Sequence, residues 1–488
     1  MASTFVKPPS NDGLPVLKRV SPSWPGIGEP KGKPFCAALR SSQSLDGGEV
    51  GDTLQFHSGF SPLSLAFVAL LAALASQATG QDIQLPHGWR GSIHGFGQVN
   101  YSARPDFEAS PDGDGLGKYG FLLGEERIQL KLEARSTNGV WSVLAKPEFF
   151  YDGVEEEFGA DLREGHLDYT RKAWDVRVGR QILTWGVGDL VFINDVFPKD
   201  YAAFFSGRPL EYLKLGVDAV DVNLQADALS AELVAIPPGL FTPDNLPPRG
   251  RFFQFDPFPT LPRETEEPSA QLQNTEAALR LYRTVADTEL SLYAYHGFWR
   301  SGAFTPDDPA APTQAIKFFP ELAVFGASTR RSGLGGVWGA EVGYYDSLDD
   351  RSGKDPTIEN SQFRFLLTYQ RQLAQDFTGS LEYYGEWMQD HAAYSRSLPA
   401  GFPSRPELRD LIGLRLTKLL RYQTLKLSLF TFYSPQARDV FLNPEISYNF
   451  TDRWWAAVGG NVFGGPGDSF FGQLGRNDNV YLTARYSF

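Results

Sequence analysis

Side chains from about residue 90 to the C-terminus alternate between apolar and polar with a period of two. In the stretch 127–135, Ile128, Leu130 and Leu132 are separated by charged or amide residues, and the last nine residues, 480–488, repeat the pattern. A period of two places successive side chains on opposite faces of a β-strand, whereas a helix needs a period of 3.6. The sequence therefore predicts a long series of strands, each with one apolar and one polar face.

The connections between these strands alternate in length. Short connections such as 136–138 and 172–173 are followed by long ones such as 185–216 and 238–272. A soluble sandwich has no need of this regularity, but a transmembrane barrel has tight turns at one end and long loops at the other. We count about eighteen strand candidates. The candidates are 91–102, 125–135, 139–150, 161–171, 174–184, 217–226, 229–237, 273–284, 287–299, 317–329, 334–346, 361–374, 376–389, 408–420, 422–433, 440–450, 452–463 and 478–488.

We therefore expect an all-β fold, a transmembrane antiparallel up-and-down β-barrel of about 16–18 strands formed by residues 91–488. Its short turns would face the periplasm and its long loops the outside. Aromatic residues such as Trp141, Tyr169, Trp174 and Trp454 lie beside the short connections and predict a girdle at a membrane interface. The alternative explanation for them is the ordinary aromatic content of β-rich chains. A mean hydropathy of −0.28 argues against many membrane-spanning helices but not against a barrel, whose strands alternate.

Two short motifs add a resemblance to known proteins. The last strand ends with Tyr486 and Phe488, and Gly-Arg-Gln at 179–181 is followed by Trp-Gly at 185–186. The terminal aromatic is similar to the C-terminal strand signal of bacterial outer-membrane proteins, which the barrel-assembly machinery recognises. The stretch 179–186 resembles a strand end found in large porin-like families. The chain thus resembles a bacterial outer-membrane β-barrel of a porin-like family, which implies insertion in a Gram-negative outer membrane.

The first ninety residues divide into three segments. Residues 1–60 are rich in Pro, Ser and Gly, as in a disordered extension or a start codon assigned too far upstream. Residues 61–78 contain the apolar run 63–75, which is too short to cross a bilayer as a helix and precedes the small residues of a cleavage site. We therefore expect a cleaved secretory signal peptide at 61–78 and a short periplasmic lead at 79–90. A buried core helix and a plant transit peptide are the alternatives.

Composition and motifs exclude several classes of function. The formal net charge of −13 argues against a nucleic-acid binder, and the single Cys36 excludes a disulfide framework and a Cys-based zinc site. The His residues form no HExxH motif. His166 lies two residues before Asp168, but no nucleophile motif accompanies them. The stretch 112–115 resembles the start of a calcium loop without its remaining ligands. We therefore expect no enzyme activity, no metal and no cofactor.

The polar faces of the strands are expected to line the barrel interior. A barrel of 16–18 strands is wide enough for a water-filled channel. The pore-lining candidates carry both signs of charge, which argues against strong selectivity for one sign. They are Arg127, Lys131, Glu133, Arg135, Lys146, Glu148, Arg177, Arg280, Arg364, Glu382, Glu386, Arg415, Lys426 and Arg485.

The connection 185–216 is too apolar for a solvated surface loop, so we expect it to enter the barrel and narrow it. The alternative is packing on the outer rim or against another subunit. The Pro-rich connection 238–272 is expected to be a lid or a rigid surface loop. The candidate constriction residues are Asp189, Asp195, Lys199, Asp200, Arg208 and Glu211.

The sequence thus favours an outer-membrane, porin-like channel for passive passage of small solutes, with its lumen narrowed by loop 185–216. The alternative is a non-conducting outer-membrane barrel that acts as a scaffold or as a partner in an export or assembly complex. A barrel enzyme and a soluble all-β secreted protein are weaker alternatives. Expected partners are outer-membrane lipid and lipopolysaccharide, the barrel-assembly machinery during biogenesis and a small solute, but no nucleic acid. No sequence feature indicates the oligomeric state.

Overall fold

A computed structural model describes residues 81–488 of the chain. The predicted extension at 1–60 and the predicted signal peptide at 61–78 lie outside the described residues. None of the helices within 81–488 has the length and apolar character needed to cross a membrane. This part of the chain consists mostly of strands, with short 3-10 turns and two short α-helices, Tyr201–Phe205 and His391–Ser397.

The strands follow one another along the whole described chain. In order they are β1 (Gln81–Gln84), β2 (Arg90–Ala103), β3 (Phe121–Arg135), β4 (Trp141–Asp152), β5 (Glu157–Thr170), β6 (Trp174–Gln181), β7 (Val217–Leu224), β8 (Ser230–Ile236), β9 (Arg263–Glu266), β10 (Glu276–Val285) and β11 (Thr288–Phe298). They continue with β12 (Ala303–Pro306), β13 (Ala315–Phe318), β14 (Glu321–Gly333), β15 (Gly336–Ser347), β16 (Gln362–Ala374), β17 (Phe377–Met388), β18 (Leu408–Leu420), β19 (Leu425–Ser434), β20 (Asp439–Asn449), β21 (Trp454–Gly464) and β22 (Asn479–Ser487).

Eighteen of these strands close into one antiparallel barrel. Nineteen strands share a sheet, but β1 pairs only with the start of β2. The other eighteen, which are β2–β8, β10, β11 and β14–β22, each pair with their neighbours in chain order. The last strand returns to the first, from Phe96 opposite Ser487 to Ala103 opposite Val480. The circumference therefore has no free edge.

This architecture confirms the predicted all-β up-and-down barrel, and each strand candidate corresponds to one barrel strand. The largest difference is at 151–160, expected to be a long connection. There β4 continues to Asp152 and β5 begins at Glu157. The carboxylate of Asp152 accepts the Val154 N–H at 2.9 Å, and Glu156 adopts a positive φ of 57°, so the chain reverses in a tight turn. Strands β9, β12 and β13 form a separate small sheet in the long loops.

The two faces of the barrel wall differ in polarity. On β2, the inward side chains of Gln98, Asn100 and Ser102 are buried. On the outer face of β20–β22, Ile446, Val458 and Leu482 lie opposite one another in one row and are exposed. An apolar outer face with a polar inner face is the arrangement of a barrel surrounded by lipid.

Aromatic side chains form a band on the outer face near the short turns. The ring of Tyr169 lies 4.5 Å from that of Trp141 and 5.3 Å from that of Trp174, measured between ring centroids. Trp454 and Tyr486 are separated by 4.9 Å. Amphipathic rings favour the boundary between hydrocarbon and water, so this band indicates one membrane interface.

Arg180 lies where the strands of the barrel wall are shortest. Strands β6, β7 and β8 contain only 8, 8 and 7 residues, and β5 continues beyond the end of β6. Arg180 faces outward and lies 3.4 Å from the carbonyl of Leu162, from Asp161 and from Asp218. Its guanidinium thus supplies donors to the part of β5 that pairs with β4 on one side but extends beyond the end of β6 on the other.

The polarity of the two faces predicts the effect of a charge on the outer wall. We expect Val458→Arg to lower the free energy of unfolding in lipid bilayers by about 2–4 kcal/mol, because an arginine near the bilayer centre loses hydration. Urea titration of the barrel in vesicles, followed by tryptophan fluorescence, measures this change. The inward-facing Ser428→Arg is the matched control and should cost much less, since it faces Glu445. Equal destabilisation by both substitutions would contradict the assignment of the faces.

Candidate pore and its constriction

Residues 182–216, which connect β6 to β7 inside the barrel, are called the lumen segment. Buried side chains of this segment, including Trp185, Ile193 and Phe205, belong to one apolar cluster with the inner wall. Removal of this surface from water stabilises the segment inside the barrel rather than on its outer rim. The wall contributes Val234, Tyr293, Val324, Leu366, Phe430, Phe441 and Phe463, among others.

Two glycines and one helix cap shape the lumen segment. Gly186 has a φ of 82°, and a Cβ atom there would lie 2.6 Å from the carboxylate of Glu341. The helix Tyr201–Phe205 begins where Asp200 accepts the Ala203 N–H at 2.7 Å, and the chain turns away at Gly207, where φ is 81°. Glycine is therefore required at position 186 by both conformation and space.

Glu341 on β15 anchors the first half of the lumen segment. Its buried carboxylate accepts the backbone N–H groups of Val187 and Asn194, each at 2.7 Å, and the side-chain amide of Asn194 at 2.9 Å. Hydrogen bonds to a carboxylate are stronger than those between neutral groups. The turn between Val187 and Asn194 is thus held against the wall at both of its ends.

The second half of the lumen segment is held by the opposite wall. The side-chain amides of Asn461 on β21 and Asn479 on β22 each donate to the carbonyl of Phe205 at 3.0 Å. In the first half of the segment, Trp185 donates its indole N–H to Glu232 on β8 at 2.9 Å. Because these strands lie on different sides of the barrel, the segment bridges the lumen from wall to wall.

Asp195 and Lys199 form a buried ion-pair cluster within the segment. Asp195 lies 3.0 Å from the ammonium groups of both Lys199 and Lys214, and both ammonium groups lie over the ring of Phe192. The backbone N–H of Lys199 donates to Asp244 in the long loop after β8 at 2.7 Å. Burial raises the pKa of Asp244, although this N–H and the nearby ammonium group oppose the shift. These charges hold the segment in its fold.

Arg208 joins the segment to β3. Its guanidinium lies 2.6 Å from Glu125 and 3.8 Å from Asp200. Glu125 also binds Arg127 at 2.8 Å, and Arg127 in turn pairs with Glu148 on β4. This network of buried ion pairs connects the wall to the segment, and it includes the constriction candidates Arg208 and Asp200.

Asp189 and Glu211 are the two constriction candidates with exposed side chains, at 38% and 48%. Asp189 pairs with Arg415 on β18, and its backbone N–H donates to Glu382 on β17 at 3.2 Å. We call Asp189, Glu382 and Arg415 the eyelet, because here charges from the segment and the wall meet beside accessible space. Glu211 lies on the short-turn side of the segment and pairs with Arg485.

The predicted pore-lining residues all lie on inward faces of barrel strands, but most are engaged in ion pairs with side chains of the same strand, a neighbouring strand or the lumen segment. Pairing of opposite charges leaves little net field from the wall itself. The pairs include Lys131–Glu133, Lys146–Glu164, Arg177–Asp168, Arg280–Glu289, Arg364–Glu386, Lys426–Glu445 and Arg485–Glu211. Arg135 is exposed at the short-turn end of β3.

Polarity along the inner wall changes with height. On β19, the inward residues near the short turn are Lys426 and Ser428, and those near the long loop are Phe430 and Phe432. The aromatic pair belongs to the cluster around the lumen segment. Strand β19 is thus polar below the segment and apolar where the segment packs against it.

Glu341, Glu125, Asn461 and Asn479 were missed by sequence reasoning. A signal existed for Glu341, because it alternates with Ala340 and Val342 and therefore lies on the face opposite to these apolar residues. No sequence pattern identifies which inward polar residue meets the segment, since that depends on how the segment folds across the barrel.

Arg104, the residue that follows β2, forms hydrogen bonds to two of the other long loops. Its guanidinium donates to the carbonyl of Arg251 at 2.7 Å, to that of Arg476 at 3.1 Å and to the side chain of Asn477 at 3.2 Å. Burial lowers the pKa of Arg104 to about 10. Phe252 in the Pro-rich loop is also buried. The loop predicted to be a lid or a rigid surface therefore packs against its neighbours.

His166 and Asp168, the nearest approach to a catalytic pair in the sequence, take part in ion pairs and hydrogen bonds of the inner wall. His166 lies 3.3 Å from Asp168, which also accepts from Ser142 at 3.1 Å and from Arg177 at 2.6 Å. The hydroxyl of Ser142 thus contacts the carboxylate rather than the imidazole. Within residues 81–488, no cluster of His, Cys, Asp or Glu has the geometry to hold a metal ion. The stretch 112–115 lies in the long loop after β2.

Comparison with known proteins adds a family. Residues 163–488 match the model of a family described as a protein of unknown function, DUF1302. The chain belongs to this family. The region shared with the DUF1302 family contains β6–β22, the lumen segment, Glu341 and the eyelet, whereas β2–β4 precede it.

Solved structures resemble the chain at low identity. OccK5 (OpdH) of Pseudomonas aeruginosa is 11% identical over 82% of this chain and 98% of its own, with a TM-score of 0.49. A loop-deletion mutant of OmpT, an outer membrane protein of Vibrio cholerae, is 11% identical over 82% and 100%, with a TM-score of 0.39. A mutant of the Rh. blastica porin is 12% identical over 82% and 100%, with a TM-score of 0.38. No curated protein matches the sequence. None of these values transfers a function to this member of the DUF1302 family.

Loss of the Glu341 anchor should loosen the lumen segment. We expect Glu341→Ala to increase amide hydrogen exchange between residues 186 and 195 by tenfold or more, since about 1.4 kcal/mol of lost protection is a factor of ten in exchange. Exchange measured by mass spectrometry on the detergent-purified barrel tests this. Glu289→Ala, which removes an inward glutamate that contacts only the wall, is the control. Unchanged protection in Glu341→Ala would show that the apolar cluster alone holds the segment.

Proposed function

We propose that this DUF1302 protein spans the outer membrane of a Gram-negative bacterium and conducts small solutes passively through a lumen narrowed by the lumen segment. The short turns face the periplasm, and the long loops face outward. The observation that carries the proposal is the eyelet, where Asp189 and Arg415 bring opposite charges together beside accessible space inside the barrel.

Membrane insertion is supported by the outer surface. Large apolar side chains are exposed around the barrel, including Leu381, Ile412, Val458 and Leu482. Water contact with such a surface is unfavourable, and contiguous exposed apolar area of this extent marks a membrane or partner contact. The aromatic band near the short turns fits the periplasmic interface. Export by a cleaved signal peptide at 61–78 is part of the proposal.

Passive conduction is supported by the mixed charge of the inner wall. Closely paired charges such as Lys426 and Glu445, 3.3 Å apart, offer polar contacts to a solute without trapping an ion of one sign. Conduction requires binding weak enough for release. A wall of this type suits small polar solutes of either sign.

A second candidate function follows from the contacts of the lumen segment with opposite walls. If the bridge formed by Glu341, Asn461 and Asn479 stays closed, the barrel is a scaffold or a partner in an export or assembly complex. Conductance separates the two functions. The chain, purified from membranes and inserted in a planar bilayer, should give stable ohmic steps if it is a channel. Inserted barrels without conductance would overturn the channel and favour the scaffold.

The eyelet predicts opposite effects of two substitutions on ion selectivity. We expect Asp189→Ala to shift the reversal potential in a salt gradient toward anions and Arg415→Ala to shift it toward cations. Each should change the permeability ratio by about twofold or more, because charges at a constriction set the local potential. Asp452→Ala, which removes an exposed carboxylate in the turn before β21, is the matched control and should leave the ratio unchanged. Shifts of the same sign would contradict the eyelet.

Replacement of residues 190–205 by a short Gly/Ser linker should raise single-channel conductance severalfold. The linker removes Ile193, Phe197 and Phe205 from the apolar cluster and leaves a lumen wide enough for water. Migration of the unheated barrel on denaturing gels verifies that it folds. A folded variant with unchanged conductance would show that the segment does not limit passage.

A further inference from the structure

The outer face of β10, β11, β14 and β15 contains an apolar hollow that neither the eyelet nor the lumen uses. The hollow has a volume of about 520 Å³, within the range of roughly 300–1,000 Å³ common for small-ligand sites. The outward side chains around it are Leu281, Arg283, Leu290, Leu292, Ala327, Thr329, Ala340 and Val342.

Strand register explains the depth of the hollow. Ala327 lies opposite Leu292 on one side and Val342 on the other. Two residues nearer the short turns, Thr329 lies between Leu290 and Ala340 in the same way. Small side chains on β14 and β15 thus form a floor beside leucines and a valine that project into the surrounding lipid.

Two arginines lie at the short-turn side of the hollow. Arg283 is opposite Leu290, and Arg331 is opposite Trp338. Both guanidinium groups are on the outward face and exposed. Within residues 81–488, neither forms a hydrogen bond or an ion pair with another side chain. Trp338 lies on the outer face near the short turn between β14 and β15, where amphipathic rings mark the membrane interface.

We propose that this hollow binds a phospholipid of the periplasmic leaflet. The phosphate diester contacts Arg283 and Arg331 at the interface, and one acyl chain lies across Ala327 and Ala340. The inference rests on membrane insertion and not on conduction through the eyelet.

Charge and position favour this occupant over a second copy of the chain. An outward arginine in lipid needs an anion or water, and the lipid phosphate is the anion present at the depth of Trp338. If a second copy of the chain packed the same apolar surface against this hollow, its Arg283 and Arg331 would lie close to those of the first copy. Like charges at a close contact are repulsive.

Native mass spectrometry of the delipidated full chain, titrated with dioleoylphosphatidylglycerol in detergent, tests the proposal. We expect the double variant Arg283→Ala/Arg331→Ala to weaken binding of the first lipid by about tenfold or more. Ala327→Leu fills the floor and should weaken it similarly without altering charge. Migration of the unheated chain on denaturing gels verifies that each variant is folded.

Matched controls remove the same groups elsewhere on the outer face. The double variant Arg171→Ala/Arg453→Ala removes two exposed arginines near other short turns, and Ala456→Leu enlarges another outward alanine. Both should leave binding of the first lipid unchanged. Equal binding by wild type and by the Arg283 and Ala327 variants would overturn the proposal. A dimer that Ala327→Leu disrupts would assign the hollow to a second copy and overturn it as well. Conductance of the same variants should stay unchanged, which separates this site from the channel.

Discussion

Closure of the sheet between β2 and β22 is the constraint on which the rest of the structure depends. An unpaired strand edge in hydrocarbon leaves backbone groups without hydrogen-bond partners, and each costs several kcal/mol. The pairing of Phe96 with Ser487 also sets the register. A slip of one residue would turn every side chain of β22 to the other face. Arg485, which donates to Gln98 at 2.8 Å inside the barrel, would then face lipid, and Tyr486 would leave the aromatic band.

A barrel of eighteen strands creates a second problem, because its wall side chains cannot fill its interior. The lumen segment supplies the missing volume, and its apolar side chains impose apolar partners on the wall. This is why β19 changes from Lys426 and Ser428 to Phe430 and Phe432 along a single inward face. Polar anchors such as Glu341 then satisfy the backbone of the segment, which has no strand to pair with.

The strands were predictable because lipid outside and polar interior enforce a period of two over the whole wall, and the alternation of turn lengths added the direction of each hairpin. The connection 185–216 was expected inside the barrel because Ile193, Phe197 and Phe205 make it too apolar for water. Which charges reach the accessible interior could not be predicted in the same way. Asp195 and Lys199 neutralise each other within the segment, whereas Asp189 meets Arg415 on a strand far away in sequence. Such pairings depend on long-range folding that carries no periodic signal.

The position of the eyelet follows from groups that need not touch a solute. Glu341 binds the N–H groups of Val187 and Asn194, and the turn between them carries Asp189 toward β17 and β18. Its backbone N–H then donates to Glu382, and its carboxylate pairs with Arg415. The carboxylates of Asp189 and Glu382 and the guanidinium of Arg415 therefore meet at one place on the inner wall. The same anchor thus holds the segment in place and brings the charges of the eyelet together.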